Sequence, residues 1–289
     1  MPELPEVEMM RIQLDKFLVG HKIVSVDVKN RKTFQGDETK ILDTKILDTR
    51  RFGKVSVIDL ANGYSILTHV KLTGQYIYRG PNLPDPKVLS PKVTGGIPGP
   101  HTLVIFNLDR GGKLYYNDVR RFGWIKVVTS DKIQSDKFIQ KLGPEPSVTK
   151  DFSGQALTLD LFRLILSKTS RAIKVILMDQ TKMGGVGNIY ANDALWLAQI
   201  SPRTTANSLQ PEKIKKLYEA ILKVLREGIK YGGASELAFV TPDGAEGKYQ
   251  NHTLVYGHEG EPCERCHKSE IKKIFLGGRG TYWCPNCQK

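Results

Sequence analysis

Met1-Pro2-Glu3-Leu4-Pro5-Glu6-Val7-Glu8 opens the chain, and the rest is read outward from it. Loss of Met1 would leave Pro2 as a free secondary amine at the chain end, with the Glu3 carboxyl beside it and a helix about to begin. A secondary amine that attacks an electrophilic carbon bearing a leaving group expels that group and becomes an iminium, a covalent intermediate of the Schiff-base kind. The carboxyl can protonate what leaves. Apolar Val7, Met10, Leu14 and Phe17 fall at helical spacing and Pro5 suits a first turn, so a helix N-terminus points free N–H groups toward this place. Its positive end disfavours a protonated amine and keeps the nucleophile neutral. The same stretch also reads as nothing more than a helix lead-in.

Strand periodicity follows. Val24, Val26 and Val28 alternate with Ser25 and Asp27. Residues 40–49 repeat Lys-Ile-Leu-Asp-Thr in tandem, too short for a solenoid and read as a local duplication at a sheet edge. Arg50-Arg51-Phe52-Gly53-Lys54 leads into apolar Val55, Val57, Ile58 and Leu60, which places Lys54 at a strand start. From Ser65 to Gly74 the pattern is strand then turn, with His69, Lys71 and Leu72 at its end; a histidine among apolar neighbours reads as a packed, supporting residue. Residues 79–100 hold Pro81, Pro84, Pro86, Pro91, Pro98 and Pro100, a long connection free to vary. His101 precedes a strand through Val104 and Phe106, a Gly111-Gly112 turn and a return strand through Leu114 and Tyr116, a hairpin signature. Arg120-Arg121-Phe122-Gly123 comes next, before a strand at 124–128. An arginine and an aromatic two residues apart on a turn suit insertion into a duplex, yet the same tetrapeptide stands at 50–53, so one copy must do something else.

Beyond Leu142-Gly143-Pro144-Glu145-Pro146, read as a linker, the apolar spacing turns helical at Leu157, Leu161, Leu164 and Ile165, then Ile173, Ile176 and Leu177. Ile214, Leu217, Tyr218, Ile221, Leu225 and Ile229 form another stripe opened by Pro211, a core face. Between them lies Met183-Gly184-Gly185-Val186-Gly187-Asn188. A glycine-rich turn before a helix can bring backbone N–H groups onto a phosphate, and Asn188 would add a side-chain donor. No preceding strand makes it a dinucleotide site. Residues 232–257 are polar, glycine-rich and aperiodic, the kind of long loop that is functional or disordered. Cys263-Glu-Arg-Cys266 and Cys284-Pro-Asn-Cys287 lie 17 residues apart and fit a tetrahedral four-thiolate zinc site. Four sulfurs leave no place for water, so the metal is structural.

Composition agrees. At 289 residues and 40% hydrophobic there is ample core for one large or two modest domains. Lys+Arg of 43 against Asp+Glu of 30 gives a net +13, which points to a polyanion. No run approaches a membrane span, no signal peptide pattern opens the chain, and the clustered cysteines argue against a disulfide framework, so a soluble cytoplasmic protein is expected.

Over nearly its whole length the sequence resembles the formamidopyrimidine-DNA glycosylases, which begin Pro-Glu-Leu-Pro-Glu-Val-Glu once methionine is lost. The resemblance implies that Pro2 attacks the sugar carbon of an oxidised purine nucleotide and that Glu3 is the acid. It further implies that Lys54 contacts phosphates near the lesion and takes part in elimination, and that Arg279 on the zinc hairpin binds lesion phosphate and serves the second elimination. His101, Arg120, Phe122 and Asn188 match the family's DNA contacts. Leu72 stands where relatives carry a methionine that fills the hole left by the departed base, Leu103 where many carry a second histidine, and Thr169, with Lys168 adjacent, where many carry a basic DNA contact. The segment 232–257 corresponds to the cap over the everted base.

The expected architecture is α+β: an N-terminal β-sandwich with its helix (1–131), a linker (132–154), a helix–two-turn–helix region including the capping loop (155–257), and a zinc-finger β-hairpin (258–289). The expected activity is a bifunctional DNA glycosylase and AP lyase with one structural zinc. It would act as a monomer on damaged double-stranded DNA, with no membrane and no small-molecule cofactor. Two alternatives compete: an endonuclease VIII-like enzyme for oxidised pyrimidines, and a non-catalytic zinc-containing DNA-binding module.

Overall fold

The apolar stripe of the first residues becomes a helix, α1 (Leu4–Leu18), whose Leu4, Val7, Leu14 and Leu18 are wholly buried. Glu3 is its N-cap, and the Glu3 N–H donates to the Glu6 carboxylate at 2.7 Å, closing a capping box that satisfies two otherwise orphaned donors. The computed structural model describes every residue except 82, 84–88 and 150–152, so Pro84 and Pro86 of the long connection lie outside the described residues.

The chain divides into two compact units: residues 1–140, 151–153 and 229–250, and residues 141–150, 154–228 and 251–289. In the first, strands β1 (Ile23–Val28), β2 (Phe34–Gln35), β3 (Ile46–Phe52), β4 (Val55–Leu60), β5 (Tyr64–His69), β6 (Gly74–Arg79), β7 (Thr102–Leu108), β8 (Lys113–Asp118) and β9 (Trp124–Thr129) form two sheets. Their orders are β1-β7-β8-β6 and β2-β9-β5-β4-β3, antiparallel throughout except for the short β2–β9 pair. One apolar core draws on α1 and on both sheets, which is the expected sandwich with its helix. Central β4 and β5 are buried along nearly their whole length, whereas edge strand β1 has one wet face. A register shift between Ile23 and Ser25 turns Val24 outward, so the alternation read at 24–28 begins one residue late. Both copies of the tandem repeat seat an isoleucine in this core: Ile41 from a 3₁₀ turn and Ile46 from the start of β3.

Segment 229–250 belongs to this first unit, although its sequence reads as part of the helical region. Its anchors are single and aperiodic: Tyr78 N–H donates to the Pro242 carbonyl at 2.7 Å, Asp243 N–H to Gln13 at 3.0 Å, and Val240 joins an apolar cluster with Ile77, Ile105 and Tyr115.

The second unit holds a short parallel pair, β10 (Glu145–Pro146) and β11 (Ala156–Leu157), and helices α2 (Leu159–Ser167), α3 (Ile173–Met178), α4 (Asn188–Ala198) and most of α5 (Pro211–Lys230). A hairpin of β12 (Lys272–Leu276) and β13 (Arg279–Trp283) follows. The stripe on α5 is buried at Ile214, Leu217, Ile221 and Leu225, as its spacing predicts. On α2 the buried residues are Phe162 and Leu166 while Leu164 faces outward, because the helix packs through Phe162, whose ring lies 6.0 Å from Tyr218. The stretch 142–146, read as a linker, is packed: a Cβ on Gly143 would come within 2.6 Å of the Lys182 carbonyl carbon. Among the described residues no helix is long and apolar enough to cross a membrane.

Candidate active site

The start of α1 is crowded with charge. Glu3 and Glu6 are 3% and 1% exposed, and Lys54, on the turn between β3 and β4, is 3% exposed. Burial lowers the pKa of the amino terminus, and Lys54 adds to that lowering; Glu3, Glu6 and Glu236 pull the other way. The chain end, Glu3 and Lys54 therefore share one electrostatic neighbourhood. Met1 is present, so the Pro2 nitrogen here is an amide.

Lys54 is placed by a buried ion pair that sequence reasoning did not single out. Arg51 and Glu8 are both fully buried; Arg51 Nε donates to Glu8 at 2.8 Å and Arg51 Nη1 to the Gly53 carbonyl at 2.9 Å, while Arg11 donates to the other Glu8 oxygen at 2.9 Å. The helix carrying Glu3 and the turn carrying Lys54 are thereby tied together. This also separates the two Arg-Arg-Phe-Gly copies. The first is structural, with Arg51 and Phe52 in the interior, and the second is exposed, with Phe122 at 60% and the Arg120 guanidinium 5.0 Å from its ring centre.

The loop after β5, which carries Leu72, and the loop 119–123, which carries Arg120 and Phe122, share one anchor. Asp118, 1% exposed, accepts from the Thr73 hydroxyl, from Arg120 N–H at 3.2 Å and from Gly123 N–H at 2.8 Å. The residues at 71 and 121 are left-handed non-glycines, with φ of 53° and 58°, conformations that persist only where surroundings enforce them. His69 supplies part of that enforcement: its Nδ1 accepts the Lys71 N–H at 3.0 Å, and its ring packs on Trp124 and Phe138. Burial, then Lys71 and Lys54, push its pKa down to about 3, so it is a neutral supporting residue. Leu72 is half-buried and His101 half-exposed at the entry to β7, whereas Leu103 is a core residue.

In the second unit Asn188 begins α4, with Gly187 as N-cap, so the glycine-rich turn does deliver a helix N-terminus. Gln180, missed in the sequence, braces the turn by donating to the Met178 and Val186 carbonyls at 3.0 and 2.6 Å and accepting from Gly185 N–H at 3.0 Å. Lys168 is exposed at the C-cap of α2, and Arg279 is exposed at the start of β13. Fully buried Lys174 donates to the Gly280 carbonyl at 2.9 Å and to the Thr281 hydroxyl at 2.6 Å, fixing the strand beside Arg279.

Cys263, Cys266, Cys284 and Cys287 converge, with all four Sγ atoms within 4.8 Å of one another. The separations of 3.8 Å for Cys263–Cys287 and Cys266–Cys284 match the ~3.8 Å edge of a tetrahedron with Zn–S bonds near 2.3 Å, so the donor set fits zinc. Trp196 Nε1 donates to Cys263 Sγ at 3.4 Å, the kind of outer contact that orients a ligand.

Residues 1–125 match the formamidopyrimidine-DNA glycosylase N-terminal domain, residues 142–239 the formamidopyrimidine-DNA glycosylase H2TH domain, and residues 260–289 the zinc finger found in FPG and IleRS. The chain is 39% identical to the formamidopyrimidine-DNA glycosylase of Pelotomaculum thermopropionicum over 294 aligned residues, covering 100% of this chain and 99% of the relative. It is 37% identical to that of Listeria monocytogenes serovar 1/2a, with both chains fully covered. Crystal structures of Lactococcus lactis Fpg superpose over 100% of both chains: one with DNA containing N7-benzyl-Fapy-dG (TM-score 0.84, 33% identity), one with DNA containing an oxidised pyrimidine (0.83, 34%).

Proposed function

The chain belongs to the formamidopyrimidine-DNA glycosylase family, and on that premise we propose that it removes oxidised purines, 8-oxoguanine and formamidopyrimidines, from duplex DNA and then nicks the strand as an AP lyase. The carrying observation is the shared neighbourhood of the chain terminus, Glu3 and Lys54 at the start of α1.

Once Met1 is removed, the Pro2 nitrogen attacks the anomeric carbon of the lesion nucleotide. The C–N bond to the base breaks, its electron pair leaves with the base, and Glu3 supplies the proton. Ring opening gives an iminium on Pro2, which acidifies the neighbouring C–H; loss of that proton expels the 3′ phosphate, and a second elimination expels the 5′ phosphate. Lys54 and Arg279 bear on the phosphates that leave. Chemistry on a stacked base requires extrusion, so Leu72, Arg120 and Phe122 fill and prise the vacated step, and His101, Asn188 and Lys168 hold backbone. Residues 232–257 cap the extruded base. Bound zinc supplies no step; held by the four thiolates, it stabilises the hairpin that carries Arg279.

We read the functional division as 1–131 for chemistry, 132–154 as connection, 155–257 for phosphate grip and lesion capping, and 258–289 as zinc finger. The enzyme acts as a monomer, in the cytoplasm on nucleoid DNA. Borohydride reduction in the presence of lesion-bearing duplex tests the reading: processed protein is expected to form a covalent adduct, and protein retaining Met1 none. A processed protein that cannot be trapped would eliminate the lyase. Comparing excision from duplexes carrying oxidised purines and oxidised pyrimidines separates the purine reading from the endonuclease VIII-like one.

A further inference from the structure

The connection 79–100 is not free. Within it, residues 89–97 are bound to the aperiodic loop 234–246. Gln75, 4% exposed, donates its side-chain amide to the Lys92 carbonyl at 2.8 Å and to the Ala238 carbonyl, joining the two segments. Lys92 Nζ donates to the Ser235 carbonyl and, at 2.5 Å, to Glu246. Ser90 adds its hydroxyl to Glu246 at 2.5 Å and its N–H to the Gly244 carbonyl at 3.1 Å. Val93 and Val240, 6% and 2% exposed, are buried together beneath these contacts. The same loop is tied at its other end by the Ala234 N–H, which donates to Glu6 at 2.7 Å.

A loop without regular structure has many conformations open to it, and backbone entropy opposes holding one of them. Here charged hydrogen bonds, the stronger kind, come from a segment that the catalytic reading does not use. We propose that 89–97 is a strap that sets the conformation of the loop beside the N-terminal site, with Lys92 and Ser90 as positioning residues for base release and not for the elimination that follows. The proposal rests on the glycosylase and lyase reading above. The two steps differ because base release requires a base to be held in geometry, whereas an abasic sugar presents none.

Two measurements on the full-length protein test it. Hydrogen exchange without DNA is expected to quicken at 234–246 in Lys92→Met and Ser90→Ala. In single-turnover assays, Lys92→Met is expected to release 8-oxoguanine from duplex about tenfold more slowly, while β-elimination at a preformed abasic site proceeds at the original rate. Lys92→Glu combined with Glu246→Lys re-forms the pair with reversed polarity and is expected to recover part of the loss. Unchanged exchange, or equal slowing of both reactions, would overturn the strap. Absence of base release by the unsubstituted protein would instead overturn the glycosylase reading, and the exchange result would still report whether the strap holds the loop.

Discussion

Glu6 Oε1 accepts the Ala234 N–H at 2.7 Å while its Oε2 accepts the Glu3 N–H at 2.7 Å, so one buried carboxylate joins the start of α1 to a loop 228 residues away. Gly233 allows the approach: it is left-handed at φ +83°, and a Cβ there would come 3.0 Å from Glu6 Cγ. Replacing Glu6 by alanine deprives two N–H groups of this charged acceptor, at a cost of about 2–4 kcal/mol. Glu6→Ala is therefore expected to lower the urea midpoint clearly, and Glu6→Gln, which keeps one acceptor oxygen, to lower it less. Equal stability of all three proteins would show that the carboxylate is not a structural link.

The two Arg-Arg-Phe-Gly copies should respond in opposite ways. Arg51→Ala leaves the fully buried Glu8 carboxylate with Arg11 as its remaining ion-pair partner and opens a cavity in the interior, and breaking a buried pair costs up to about 3–5 kcal/mol. Arg120 is exposed, so Arg120→Ala should leave the thermal midpoint within about a degree while weakening binding to lesion-bearing duplex. Calorimetry and a binding titration on the same two variants decide it; a stability loss confined to Arg120→Ala would reverse the assignment.

His69 gives the fold a defined acid sensitivity. Its folded pKa of about 3 lies below the ordinary 6.5, so between those values the unfolded chain binds a proton that the native state refuses. Stability from this residue is thus complete above pH 6.5 and falls as pH drops toward 3, by about 1.4 kcal/mol per pH unit. Denaturant midpoints at pH 6.5, 5.5 and 4.5 should decline more steeply in the native protein than in His69→Gln. Parallel declines would mean that the imidazole titrates normally.

Legibility in the sequence follows the range of each signal. The stripe Val7, Met10, Leu14, Phe17 reads correctly because helical period is local, and the cysteines read correctly because ligands arrive in adjacent pairs. Nothing within Arg50–Gly53 says that it is interior; that depends on Glu8, 43 residues upstream. Gln75, Asp118 and Gln180 leave no trace either, because a single polar side chain bonding to loop backbone has no periodicity and its partners lie far along the chain or in turns. The connection 79–100 reads as free for the same reason: proline content marks the absence of strand and helix, not the absence of partners.

Removing zinc should unfold the hairpin locally and leave the helices standing. Cys263 and Cys284 share a small apolar cluster with Trp196, Val255 and Ile271, and without the ion four close thiols have no reason to stay together. The stripe on α5 is buried independently of this cluster, so far-UV circular dichroism of chelator-treated protein is expected to retain its helical signal. Arg279 loses its strand, and the slope of log K against log salt should shrink by about one for each phosphate that the hairpin no longer neutralises. Asn188→Ala should reduce that slope by a similar single step with zinc still bound, since α4 presents its N-terminus without the metal. One zinc per chain by metal analysis, with affinity restored on its return, completes the expectation; a metal-free protein with unaltered affinity and salt slope would remove the hairpin from the DNA interface altogether.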